Sequence, residues 1–328
     1  VDASTIGRVS MHDHLLIDGA GLHREGVEPT PADSRVTMEN LAYLCWNCLG
    51  LVDNLVLDDD DVAVEELRRA VAGGITLLVE DTAIGLNPQH ARLPGIARRS
   101  GMAVAAAYGP YVSRVLPSWM AELDEQGLED HLHAALADRI PGTDYRAALL
   151  GILGTSGDVL PDEWMRLRAA ARAAARTGAT VSVRLDPDFR AGIAVVEHLV
   201  AAGLPADRIL FTNADEYMDT AYWAELSAAG ATLEMCFGSE MQHVGRIRNP
   251  TDLERIDFFA AFLADHPATT WVLGGSLWTK VQLSRFGGQG YDHLTRRIVP
   301  ELARRGVGAD LLEPMLTTQP VRLLDRPD

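Results

Sequence analysis

Short apolar runs recur along the chain, and each follows an amphipathic stretch that ends in a small residue and glycine. The junctions read AVAGGITLLVED (70–81), RRSGMAVAAAYG (98–109), ARTGATVSVRLD (175–186) and SAAGATLEMCFG (227–238). Glycine at the end of a helix supplies a left-handed turn that a residue with a Cβ adopts only at a cost. The runs after each glycine are apolar without strict alternation, as expected of strands covered on both faces. The stretches between them carry acids at their starts and arginines near their ends. DDDDVAVEELRRAV (58–71) and PDEWMRLRAAARAAAR (161–176) both have the polarity that a helix dipole favours. These charge runs therefore punctuate helices and do not mark a site.

The pattern predicts eight strands: Arg8–His12, Ile75–Glu80, Ala103–Tyr108, Ala148–Leu153, Thr180–Arg184, Ile209–Asn213, Thr232–Cys236 and Thr270–Gly274. Helical segments separate nearly all of them. Strand and helix in alternation imply a parallel sheet, and eight such units imply an α/β fold, a single (β/α)8 TIM barrel. No linker rich in Pro, Gly or Ser divides the 328 residues, so one domain over 1–328 is expected. In such a barrel the chemistry sits where strands end. The residues at those ends are His12 and His14, Glu80 and Asp81, Tyr108, Ile152, Arg184, Asn213, Cys236 and Ser276.

Composition narrows the classes of function. A net charge of −17 argues against nucleic acid and anionic membranes as partners. No apolar run approaches the ~18 residues of a membrane span, and no charged-then-apolar leader precedes the first strand. Three cysteines, Cys45, Cys48 and Cys236, do not make a disulfide framework, and the CxxC of YLCWNCLG (43–50) has no second half. A cytoplasmic location is the expectation. Lys280 is the single lysine, in a chain whose other basic residues are arginine.

The chain resembles the phosphotriesterase family of the amidohydrolase superfamily. The resemblance runs through MHDHLLID (11–18), VTMENLAYL (36–44), NLVLDDDDVAVEELRRAVAGG (54–74), GILGTSG (151–157), WTKVQLSRFGGQGYDHL (278–294), RRIVPELARRGV (296–307) and TTQPVRLL (317–324). It implies a two-metal hydrolase acting on phosphotriesters or lactones, in which two divalent cations stabilise a bridging hydroxide. It also implies pairing as a homodimer. Carried over position by position, only the HxH of His12 and His14 survives. The bridging carboxylate falls on Ile152, the two later histidines on Arg184 and Asn213, and the aspartate after strand eight on Ser276. Two histidines leave a tetrahedral zinc two protein ligands short, so no metal and no cofactor are expected.

What remains is a different set of groups. Arg184 brings a fixed positive charge that grips carboxylate, phosphate or an oxyanion. Freed from metal, His12 and His14 become acid–base groups near neutral pH. These three are the catalytic candidates. Glu80, Tyr108, Asn213, Cys236, Ser276 and Trp278 are candidate substrate contacts, with Asp13 a structural partner on the other side of its strand. Arg184 is expected to pair with Glu80 or Asp81, and the segment 238–249 to roof the pocket. The expected activity is metal-independent conversion of a small anionic or carbonyl-bearing molecule by hydrolysis, elimination or cyclisation. Two alternatives stand beside it. One is a barrel that binds a metabolite without turnover. The other is a hydrolase with one weakly held metal on His12 and His14 plus a carboxylate such as Glu80 or the thiolate of Cys236.

Overall fold

A computed structural model describes residues 6–238 and 242–326. Eight parallel strands form the barrel: β1 Arg8–Asp13, β2 Ile75–Glu80, β3 Ala103–Ala106, β4 Leu150–Gly154, β5 Val181–Arg184, β6 Ile209–Thr212, β7 Thr232–Cys236 and β8 Trp271–Gly274. β1 pairs with β2 and β2 with β3, while β4 to β8 pair in sequence. Two junctions close the ring. Ala107 bridges Leu149 between β3 and β4. Gly275 and Ser276 after β8 both donate their N–H to the carbonyl of His12, at 3.0 and 2.7 Å.

The strands agree with the sequence reading to within two residues at either end. The third stops at Ala106 rather than Tyr108. The sixth stops at Thr212, because Asn213 turns into the left-handed region at φ +53°. The four glycines that close helices at the quoted junctions, Gly74, Gly101, Gly178 and Gly230, all have positive φ. Asp59 caps the helix Asp60–Ala72 by accepting from the N–H groups of Asp61 and Val62, which explains part of the aspartate run.

Side chains alternate between two cores. One lies between the strands and the surrounding helices and includes Leu78, Val181, Phe211, Leu233 and Leu273. The other fills the lower lumen with Val9, Met11, Leu77, Val79, Ala107, Leu149, Leu210 and Val272, and is plugged from below by Leu323 of the last helix, Thr318–Leu324. Two residues further along the same strands the lumen becomes polar, and the candidate site begins there. No helix among the described residues is long and apolar enough to cross a membrane.

Candidate functional site

The cavity at the C-terminal ends of the strands has a volume of about 110 Å³. Its lining includes His12, His14, Ile152, Arg184, Asn213, Ser276 and Trp278. The two histidines share its floor. His12 Nε2 lies 3.3 Å from His14 Nε2, so both rings point the same edge at one spot. Behind His12, its Nδ1 lies 2.6 Å from the Thr212 hydroxyl and 3.2 Å from Glu234 Oε2, and that hydroxyl also donates to Glu234. Behind His14, its Nδ1 meets the Thr82 hydroxyl at 3.0 Å, and Thr82 in turn donates to Glu80.

These surroundings drive the two rings apart in basicity. Burial alone disfavours a charge on either. At His12 the Glu234 carboxylate and its hydrogen bond outweigh burial, helped by Asp81 and Asp13, and the pKa rises to about 9. At His14 nothing offsets burial, and the neighbouring charges of His12 and Arg184 push its pKa well below the ordinary value. The result is a charged imidazole beside a neutral one. Burial also raises Glu80 and Asp81 to about 7 each, against the hydrogen bonds that favour ionised Glu80.

Arg184 closes one wall. Its Nη2 pairs with Glu216 Oε1 at 2.5 Å and its Nη1 donates to the Tyr111 hydroxyl at 3.1 Å. The expected pairing with Glu80 or Asp81 is therefore incorrect. Glu80 faces away from the lumen toward Thr82 and the Leu15 N–H, and Asp81 sits below the cavity. Asn213 donates to Ser276 Oγ at 3.2 Å, and both residues hold positive φ, +53° and +50°. Such backbone in residues with a Cβ is sparsely populated and concentrates at functional sites.

Three of the expected substrate contacts do not line the cavity. Tyr108 follows Ala107, which takes the lumen position, so the ring turns outward and its hydroxyl meets His131 Nε2 at 2.7 Å. Glu80 is displaced for the same reason, one residue before the inward Asp81. Cys236 points inward but lies beneath, 3.8 Å from His12 Nδ1. Asp13 accepts from Ser10 Oγ and the Leu277 N–H, the structural part expected of it. Lys280 pairs with Asp53 at 2.6 Å. Of the expected roof, residues 239–241 lie outside the described residues, and Ile247 lines the cavity.

Glu234, Thr212, Glu216 and Tyr111 escaped the sequence reading. For Glu234 a signal existed: it stands two residues before the inward strand-end position Cys236 and is an acid inside an otherwise apolar strand. Glu216 and Tyr111 come from loops, where no periodicity places them.

The sequence profile of the phosphotriesterase family matches residues 1–324. The chain belongs to the phosphotriesterase family. The N-acetyltaurine hydrolase of Danio rerio is 27% identical to it over 99% of this chain and 95% of its own length. The same enzyme of Homo sapiens is 26% identical over the same shares. Among solved structures, a resiniferatoxin-binding protein from Rhodobacter sphaeroides superposes with a TM-score of 0.94 at 29% identity, covering 99% of this chain and 92% of that one.

The two-metal centre that the resemblance implies does not fit these residues. Ile152, Arg184, Asn213 and Ser276 stand around the cavity where charged or imidazole ligands would be needed, and the Arg184 guanidinium is held by Glu216. One cluster of three candidate ligands exists among the described residues: His12, Glu234 and Cys236. It gathers at the Nδ1 edge of His12, where the Thr212 hydroxyl already bridges Nδ1 and Glu234. The Cys236 thiol, raised by burial and by the carboxylates of Glu234 and Asp215, resists becoming the thiolate a metal requires. Neither Glu80 nor Cys236 lies at the Nε2 edge the two rings share, so neither supplies a third ligand there.

Proposed function

We propose that the protein hydrolyses a small carbonyl-bearing molecule, an ester, lactone or amide, through the His12–His14 pair and without a two-metal centre. The observation that carries this is the pair itself: two imidazoles converge at 3.3 Å on the cavity floor, one held charged and the other neutral. A water on the cavity side of the two Nε2 atoms gives its proton to His14 Nε2. His14 passes its Nδ1 proton through the Thr82 hydroxyl to Glu80, whose pKa of about 7 makes it the acceptor. The water oxygen attacks the carbonyl carbon, and Arg184, oriented by Glu216 and Tyr111, donates to the developing oxyanion. The bond to the leaving group then breaks, and that group takes the Nε2 proton of His12.

Hydrolysis is favoured over elimination or cyclisation because the relatives are N-acetyltaurine hydrolases. A second reading, binding without turnover, draws on the neighbour named for binding resiniferatoxin. A cytoplasmic homodimer built from one domain per chain accompanies either reading.

The test is a panel of small esters, lactones and N-acyl compounds assayed with excess chelator. Activity should persist with chelator and fall by about 100-fold or more in His14→Asn, the usual scale for losing a general base. Its pH profile should be bell-shaped, rising near 7 as Glu80 loses its proton and falling near 9 as His12 loses its own. Activity abolished by chelator and restored by zinc would overturn the mechanism. A ligand that binds tightly and is never converted would favour the second reading.

A further inference from the structure

Above the cavity floor the wall becomes basic. Arg114, on the short turn Ser113–Val115, lines the cavity and is exposed. Two other cavity-lining residues, Leu22 and Ile247, have arginines close by in sequence: Arg24 two positions after the first and Arg246 directly before the second. Arg24 is partly buried, with its N–H bonded to the Leu49 carbonyl, and Leu49 also lines the cavity. Its Nη1 donates to the His23 carbonyl at 2.6 Å. Besides this partial burial, the charges of Arg114 and Arg246 lower its hold on its proton, so each of those two guanidiniums lies within electrostatic reach of Arg24. Among the described residues no carboxylate pairs with any of them.

That is unusual for this molecule. Acids outnumber Lys and Arg by 46 to 29, and carboxylates are near at hand for many of the other arginines. Arg166, Arg168 and Arg255, for example, each pair with one. Three guanidiniums that meet no carboxylate among the described residues repel one another and gain from an anion placed among them. Arg184, deeper in the same cavity, is by contrast already neutralised by Glu216.

We propose that Arg24, Arg114 and Arg246 form an anion subsite at the cavity mouth, and that the ligand carries a carboxylate, sulfonate or phosphate at the end remote from the bond over the histidines. This rests on the reading of the cavity as the substrate site and adds its chemical class. The outer group gives orientation, and the inner carbonyl meets Arg184. The same rim draws anions toward a mouth that the remainder of an acidic surface would repel.

The test uses the full chain and matched probes: N-acetylglycine, N-acetyl-β-alanine and N-acetyl-γ-aminobutyrate, each against its uncharged primary amide. Binding is read by calorimetry, with the ring resonances of His12 and His14 followed by NMR. At low salt at least one acid should bind about tenfold tighter than its amide, as charge-assisted hydrogen bonds predict, and the preference should shrink with added salt. Arg114→Gln and Arg246→Gln should each reduce the acid-to-amide ratio, and together bring it to about one, leaving amide affinity within about twofold. Both residues are exposed, so a thermal melt confirms that the variants fold. A ratio near one in the unaltered protein, no binding by any acid, or a ratio that survives the double substitution overturns the subsite. If the preference holds but the two histidine resonances do not move, the rim stands and the reading of the cavity floor falls.

Discussion

The lower and upper halves of the barrel lumen are built from the same strands and have opposite chemistry. In the lower half Val9, Leu77, Val79, Leu149, Leu210 and Val272 pack without polar groups. One step up the same alternation, Asp81, Thr212 and Glu234 face inward beside His12, and each is almost completely buried. Two glycines make room for them. A Cβ on Gly274 would lie 2.6 Å from Glu234 Oε1, and one on Gly151 would lie 2.7 Å from Ser182 Cβ and 3.2 Å from Asp81 Oδ1. Asp81 Oδ1, Ser182 Oγ and Glu234 Oε1 have no hydrogen-bond partner among the described residues. The lower half is organised for stability; the upper half accepts desolvated charge, which folding alone does not favour. A barrel divides its work in this way because its lower strand ends need only pack, whereas its upper ends meet the ligand.

The largest effect that separates the halves is loss of packing. Leu210→Ala should destabilise by about 2–5 kcal/mol, the range for a fully buried leucine, while ligand affinity at the upper end stays nearly unchanged. A denaturant melt paired with a binding titration reads both. If binding is lost along with stability, the halves are not separable.

The next effect is a pH dependence confined to the upper half. Folded His12 holds its proton to about pH 9, against 6.5 unfolded, so its stabilisation is complete below 6.5 and is lost as pH rises through 9. Asp81 and Glu80, raised to about 7, act in the same direction at lower pH: their contribution is complete below about 4 and lost as pH rises through 7. The melting temperature should therefore fall between pH 5 and 9.5. Glu234→Gln should remove the part of that fall above pH 6.5, since burial then leaves His12 neutral throughout. An unchanged slope in that variant would mean that Glu234 does not hold the His12 proton.

The smallest effect tests the orphaned acid. Asp81→Asn keeps the shape and removes a buried group that ionises at the expense of the fold. It should raise stability at pH 8 by about 1 kcal/mol, the scale of an unsatisfied buried polar group. A loss of stability instead would mean that the attraction between Asp81 and protonated His12 outweighs the cost of burying the carboxylate.

The sequence determined the alternation of strand and helix, because glycine-closed helices and doubly covered strands are local patterns, and eight such units fit a closed barrel. It also determined the chemistry of Ile152, Arg184, Asn213 and Ser276, which is the same wherever they lie. Which strand-end residues face inward was only partly legible. Tyr108 and Glu80 are the last apolar or acidic residues of their strands, yet the pleat places Ala107 and Asp81 in the lumen, and a shift of one position reverses a side chain's face. Glu216 as the partner of Arg184, the opposed charge states of His12 and His14, and the gathering of Arg24, Arg114 and Arg246 were decided only by tertiary structure. Each depends on which loops and strands meet across the barrel, a long-range matter on which local periodicity has no bearing.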